Sequence, residues 1–142
     1  MHAQPDQIAA VLGLPHPSAV TFRGLADRCE NGLPVESLDA LVQTLTPSQP
    51  FFLRAPMTQS TLRRRKKRGT LSPEESDLLV RLATTWVLAL RTFGSEEKAR
   101  RFLFGEHALL GGKKPVDLAA MNLAGAQEVE QMLGRLRYGS AA

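Results

Sequence analysis

The chain is poor in the residues that build disulfide scaffolds, metal sites and sheets. Its 142 residues include one cysteine, Cys29, and three histidines, His2, His16 and His107. A lone thiol excludes a disulfide within the chain and fits a reducing compartment. The histidines lie far apart, outside any metal-ligand spacing, so no zinc site and no cofactor are expected. Aromatics are scarce, with six Phe, one Tyr and one Trp. No segment alternates apolar and polar residues over strand length, so little β-structure is expected. No apolar run approaches the roughly 20 residues of a membrane span. The first residues show no basic segment followed by an apolar stretch, so secretion is not expected and the cytoplasm is the expected location.

What is present is apolar residue at helical spacing, with 43% hydrophobic content to build a core. A short helix is expected around Ile8 to Leu12, stopped by Gly13. Ser18 is placed to cap a helix with Phe22, Leu25, Ala26 and Cys29 on one face. Asn31-Gly32 ends it, and Pro34 opens another with Leu38, Leu41, Val42 and Leu45 inward. Thr46-Pro47-Ser48-Gln49 reads as a capping box before a short helix through Phe51, Phe52 and Leu53. After the break Ala55-Pro56-Met57, Thr58 caps a helix that Gly69 stops. Ser72-Pro73-Glu74-Glu75 combines a cap, a proline at the first helical position and a glutamate at the third. It opens what should be the longest helix, over residues 73–92, with Leu79, Leu82, Ala83, Trp86, Leu90 and Phe93 on one face. Ser95, Pro115 and Asn122 start three more. Val129, Met132, Leu133 and Leu136 form the buried stripe of the last helix.

Charge is concentrated. The formal net charge is +4, yet residues 63–68 read Arg-Arg-Arg-Lys-Lys-Arg. Residues 1–62 hold three cations against five anions, and residues 69–142 hold nine of each. One local block therefore makes the chain basic, which points to one electrostatic contact, with nucleic acid or an acidic partner. The block ends the third helix of an expected order over residues 34–45, 47–53 and 58–68. In a helix-turn-helix module this last helix enters the major groove. Its first turn would present Thr58, Gln59, Ser60 and Thr61 to bases, and Arg63, Arg64, Arg65, Lys67 and Arg68 to phosphates. On a helix, about three of six adjacent cations can reach one duplex.

Catalytic patterns are weak. There is no G-x-S-x-G elbow. Gly112-Lys113 lacks the first glycine of a phosphate loop, where His107 stands, and the hydroxyl residue, where Lys114 stands. Glu74-Glu75 and Glu96-Glu97 sit at helix starts, where dipole compensation explains them. No enzymatic activity is expected.

The second half carries Arg91-Thr92-Phe93-Gly94, Ala99, Phe102-Leu103, Leu110-Gly111-Gly112-Lys113-Lys114-Pro115-Val116-Asp117-Leu118, Gly125-Ala126, Val129, Leu133-Gly134-Arg135-Leu136 and Tyr138-Gly139. In this order and spacing these resemble the Xre/MbcA/ParS toxin-binding family, antitoxins of bacterial type II toxin–antitoxin pairs. Gly32-Leu33-Pro34, Ser60-Thr61-Leu62-Arg63-Arg64-Arg65 and Leu71-Ser72-Pro73-Glu74-Glu75-Ser76-Asp77 resemble the family's Xre-like helix-turn-helix part. The resemblance implies an all-α fold of about eight helices. Residues 1–70 would be a helix-turn-helix and dimerisation region, and residues 71–142 a toxin-binding domain joined by the long helix. It implies a RES-domain toxin as partner, whose NAD-binding cleft the antitoxin covers. Arg135, Tyr138 and Gly139 are the residues it places at that cleft, with the loop Gly111, Gly112, Lys113 and Pro115 as a second contact or a scaffold. It further implies a homodimer and operator DNA for autoregulation. The other reading is a helix-turn-helix transcription regulator without a toxin. The chain departs from the family at Phe102, where tryptophan is usual. It departs again at Phe104-Gly105-Glu106-His107, where a proline-asparagine pair is usual.

Overall fold

The computed structural model describes residues 2–48 and 57–139. Among them the secondary structure is helical, and the only β-type pairings are two isolated bridges. Among the described residues eight α-helices follow one another: α1 (Pro5–Val11), α2 (Phe22–Asn31), α3 (Glu36–Leu45), α4 (Gln59–Arg68), α5 (Pro73–Phe93), α6 (Glu96–Phe104), α7 (Pro115–Met121) and α8 (Leu123–Tyr138). The expected helix over residues 47–53 lies outside the described residues, as does the break at Ala55-Pro56. The chain divides into two compact units, Gln4–Val80 and Met1–Ala3 with Arg81–Ala142. The long helix α5 runs through the division.

In the first unit α1 begins at Pro5, and Gln4 donates its N–H to the Gln7 side chain across the first turn (3.1 Å). The cap of α2 is Thr21 rather than Ser18. Pro17 starts a 3₁₀ turn, Pro17–Ala19, and Val20 is extended, so the helix cannot begin until Thr21 accepts the Gly24 N–H (3.0 Å). The expected apolar stripe of α2 is only partly buried. Leu25 is covered, whereas Phe22 is 57% exposed. Helix α3 starts two residues after Pro34 and buries Leu38, Leu41, Val42 and Leu45. Each leucine so covered contributes roughly 1.5–3 kcal/mol. Thr46 is buried and turns its hydroxyl back onto the Val42 carbonyl (3.1 Å).

Pro34 instead pairs with Thr70 in an antiparallel bridge. The Val35 N–H donates to the Gly69 carbonyl (3.0 Å) and the Leu71 N–H to the Leu33 carbonyl (2.8 Å). The Leu33 N–H donates to the Ser76 hydroxyl (2.8 Å), which is fully buried. Three backbone donors that would otherwise be orphaned are thereby satisfied. This clasp ties the entrance of α3 to the exit of α4 and the first turn of α5. Gly32 permits it. Its φ is +88°, and a Cβ there would lie 2.2 Å from the Leu71 carbonyl oxygen.

In the second unit α6, α7 and α8 bury Ala99, Phe102, Leu103, Val116, Leu118, Ala119, Val129, Met132 and Leu133. Thr85 to Ala89 of α5 are all buried, so this part of the helix is covered around its whole circumference. Asn122 caps α8 by accepting the Gly125 N–H (2.9 Å). Gly125 lets α7 and α8 close at an acute corner, because a Cβ there would meet the Leu118 carbonyl oxygen at 2.0 Å. Arg81 donates to the Ala119 and Ala120 carbonyls (3.1 and 2.9 Å), so its charge sits at the negative end of α7.

Candidate functional site

The basic block becomes α4, and the fold sorts its cations. Thr58 caps the helix, accepting the Thr61 N–H (3.1 Å) while its hydroxyl donates to the Thr61 hydroxyl (2.9 Å). Arg64 also donates to the Thr61 hydroxyl (3.3 Å). Gln59 and Ser60 are exposed on the first turn. Arg63, Arg64, Lys66, Lys67 and Arg68 are exposed as well. Ser60, Arg63, Arg64 and Lys67 fall at i, i+3, i+4 and i+7 and so share one face. Arg68 leans back toward the Thr70 carbonyl (3.4 Å). Gly69 closes the helix in the left-handed conformation.

Arg65 differs from its neighbours. Its Nε lies 2.7 Å from Glu75 Oε1, and each side chain is only 18% exposed. The same carboxylate oxygen accepts the Ser72 N–H (2.7 Å), while the Ser72 hydroxyl accepts the Glu75 N–H (3.1 Å). Glu75 therefore both completes the capping box of α5 and holds α4. Burial by itself would raise its pKa, but the hydrogen bonds from Arg65 and Ser72 outweigh it and hold the carboxyl below its ordinary value. Arg65 was expected among the phosphate contacts; in the structure Glu75 holds it and most of its side chain is covered, so it ties α4 to α5. Its partner Glu75 carried a helix-start signal in the sequence but no sign of a second bond ten residues away.

The loop after α6 is a closed turn. His107 and Lys113 form an isolated bridge, and the His107 carbonyl accepts the N–H groups of Leu110 (2.9 Å) and Gly112 (2.9 Å). Gly111 and Gly112 adopt φ of +65° and +79°, which L side chains rarely take. Lys113 is exposed, and Pro115 is buried as the first residue of α7. His107 packs on Phe102 with the rings tilted (centroids 4.9 Å apart), and its Nε2 lies 3.0 Å from the Phe102 carbonyl oxygen. His107, at the position of the phosphate loop's first glycine, thus belongs to a structural turn.

At the end of α8, Arg135, Arg137, Tyr138 and Gly139 are exposed. Tyr138 shows 67% of its surface, and the Arg137 guanidinium lies over its ring, 5.7 Å from the centroid. Gly139 ends the helix with φ +75°. Arg135, Tyr138 and Gly139 line a shallow strip along α8 with Ala124, Gln127, Gln131 and Gly134. The Gly111-Gly112-Lys113 turn does not line that strip.

Cys29 is half-buried, and burial, with the negative charges of Asp77 and Glu30, pushes its thiol up. It stays protonated at neutral pH and makes a poor nucleophile. Among the described residues no helix is long and apolar enough to cross a membrane.

An N-terminal helical unit with a cationic surface helix is followed by a second helical unit with an exposed helix end. Residues 24–83 match the family described as the antitoxin Xre-like helix-turn-helix domain, and residues 88–139 match the antitoxin Xre/MbcA/ParS C-terminal toxin-binding domain. The chain belongs to the Xre/MbcA/ParS family of antitoxins. A search of curated proteins finds no match to it.

Proposed function

We propose that this antitoxin neutralises a RES-domain toxin by laying the end of α8 over the toxin's NAD-binding cleft. One observation carries the reading. The toxin-binding match ends at Gly139, where α8 offers an exposed tyrosine ring, two exposed arginines and a left-handed glycine. A cleft that binds a dinucleotide has a slot for an aromatic base and a cationic lining for phosphates. Tyr138 fits the slot. The C-terminal end of α8 carries a partial negative charge from its unpaired carbonyls, which suits a cationic lining. Arg135 would meet an acidic rim. Gly111, Gly112 and Lys113 form a second, smaller contact, with Lys113 as the exposed side chain. The chain itself carries out no catalysis in this reading and takes no cofactor.

The helix-turn-helix part would hold a homodimer on operator DNA in the cytoplasm. Gln59 and Ser60 would lie toward bases, and Arg63, Arg64 and Lys67 toward phosphates, with Thr58 and Thr61 fixing the helix start. Residues 1–70 would serve this role and residues 71–142 the toxin.

Co-expression with a cognate RES-domain toxin tests the main reading. Full-length antitoxin should restore growth and block NAD consumption, and removal of residues 135–142 should abolish both while the helical circular dichroism is kept. Protection by the truncated chain would show that α8 does not act as the plug.

A further inference from the structure

Helix α4 has an unusually thin attachment. A surface helix ordinarily docks by burying an apolar stripe. None of the residues of α4 is buried, and Leu62 is its one apolar residue. Thr61, Leu62 and Arg65 are half-buried. The clasp at Gly69 to Leu71 fixes where the helix ends. Its tilt before that end depends on Leu62 and Arg65, three residues apart on one side. At about 100° per residue, these two point roughly 150° away from the middle of the face that carries Ser60, Arg63, Arg64 and Lys67. The anchoring side and the cationic side are therefore back to back. Arg65 also meets a fixed point. Its partner Glu75, 2.7 Å away, accepts the Ser72 N–H in the first turn of a helix of 21 residues.

We propose that Arg65 and Glu75 are positioning residues for DNA recognition: their bond sets the tilt of α4 that brings Gln59 and Ser60 to base edges, and neither residue touches DNA. The proposal rests on the reading of α4 as the DNA-facing helix. Leverage gives it a distinctive signature. Ser60 lies five residues from Arg65, about 7.5 Å along the axis. A tilt of about 20° about Arg65 would carry it roughly 2.5 Å, beyond what a hydrogen bond to a base tolerates. Arg63, Arg64 and Lys67 lie within two residues of the pivot, about 3 Å, and the same tilt shifts them by roughly 1 Å. Loss of the bond therefore removes base reading and leaves the phosphate contacts in place.

Two probes test this: a duplex selected by the wild-type chain from a random-sequence pool, and an unselected duplex of equal length. Kd of the full-length chain is measured for both over a salt series, at a temperature where melts show every variant folded. Arg65→Met should lower the ratio of unselected to selected Kd about tenfold, with the salt slope unchanged. Glu75→Gln keeps the capping box but not the charge of the bond, and should lower the ratio severalfold. The double variant should lose no more than Arg65→Met alone, because both residues act through one bond. Thr21→Ala, which removes the cap of α2 in the same unit, should lower stability and keep the ratio. If Thr21→Ala lowers the ratio as much, the pair acts only through stability and the proposal fails. If Arg65→Met weakens both duplexes equally and lowers the slope by about 0.9, Arg65 is itself a phosphate contact and the proposal fails. If the folded variants keep the wild-type ratio, the pair does not position α4. If the wild-type chain selects no sequence, the DNA reading of α4 falls and the proposal falls with it. Should Arg65→Met fail to fold, Glu75→Gln decides.

Discussion

Three glycines show how much a single absent Cβ controls. At Gly32 the left-handed backbone and the Leu71 carbonyl both exclude a side chain, and at Gly125 the Leu118 carbonyl alone does. Gly134 also sits in a helix, yet nothing lies within 4 Å of where its Cβ would be. Gly32→Ala and Gly125→Ala should each cost about 2–4 kcal/mol, because backbone must move. Gly134→Ala should stabilise the free chain by about 0.5–1 kcal/mol through helix propensity. Urea unfolding of the three variants would check the order, and a stable Gly125→Ala would contradict the close helix corner.

Glu75 gives a residue-scale pH dependence. Its folded pKa is below the ordinary 4.5, so the unfolded chain takes up this proton first as pH falls. The stabilisation is complete above that ordinary value and is lost as pH drops through the lowered one. At neutral pH, Glu75→Gln should cost about 1–2 kcal/mol from the weakened cap and the broken pair. The gap between wild type and variant should close toward acid. Melting curves from pH 7 to pH 3 would show it, and a gap constant over that range would mean that the carboxylate charge contributes nothing.

At the scale of the element, α4 is held by one of its cations and shows the others to solvent. Cations in its last turn also face the negative helix end, which stabilises the helix without any partner. The two roles separate by experiment. Replacing Arg63, Arg64 and Lys67 by serine should lower the slope of log affinity against log salt by up to about 2.7 for operator DNA. Arg65→Ser should reduce stability and leave the slope nearly unchanged. Equal slopes for both variants would place all the arginines in one role. Helix α8 shows the complementary arrangement, with Val129, Met132 and Leu133 as buried anchors and Tyr138 as an exposed tip. Tyr138→Ala should therefore leave the melting temperature almost unchanged and impair only toxin neutralisation, measured as residual NAD consumption in a mixture with the toxin.

On the scale of the whole molecule, the sequence by itself determined that the chain is helical and where most helices start and stop. These follow from local chemistry: proline and hydroxyl caps, left-handed glycines, and apolar residues every three or four positions. The long helix was expected over residues 73–92 and runs over Pro73–Phe93 because Ser72, Pro73 and Glu75 make a complete start signal. Local chemistry also misled. Ser18 and Pro34 look like helix starts, but a 3₁₀ turn and a bridge to Thr70 occupy them. Only the tertiary structure decided which of six identical-looking cations turns inward, because the partner of Arg65 is set by how α4 meets the first turn of α5. It likewise decided that Leu136, spaced as a core residue, remains half-exposed, because burial depends on what stands opposite a position. Spacing along one helix carries no record of that.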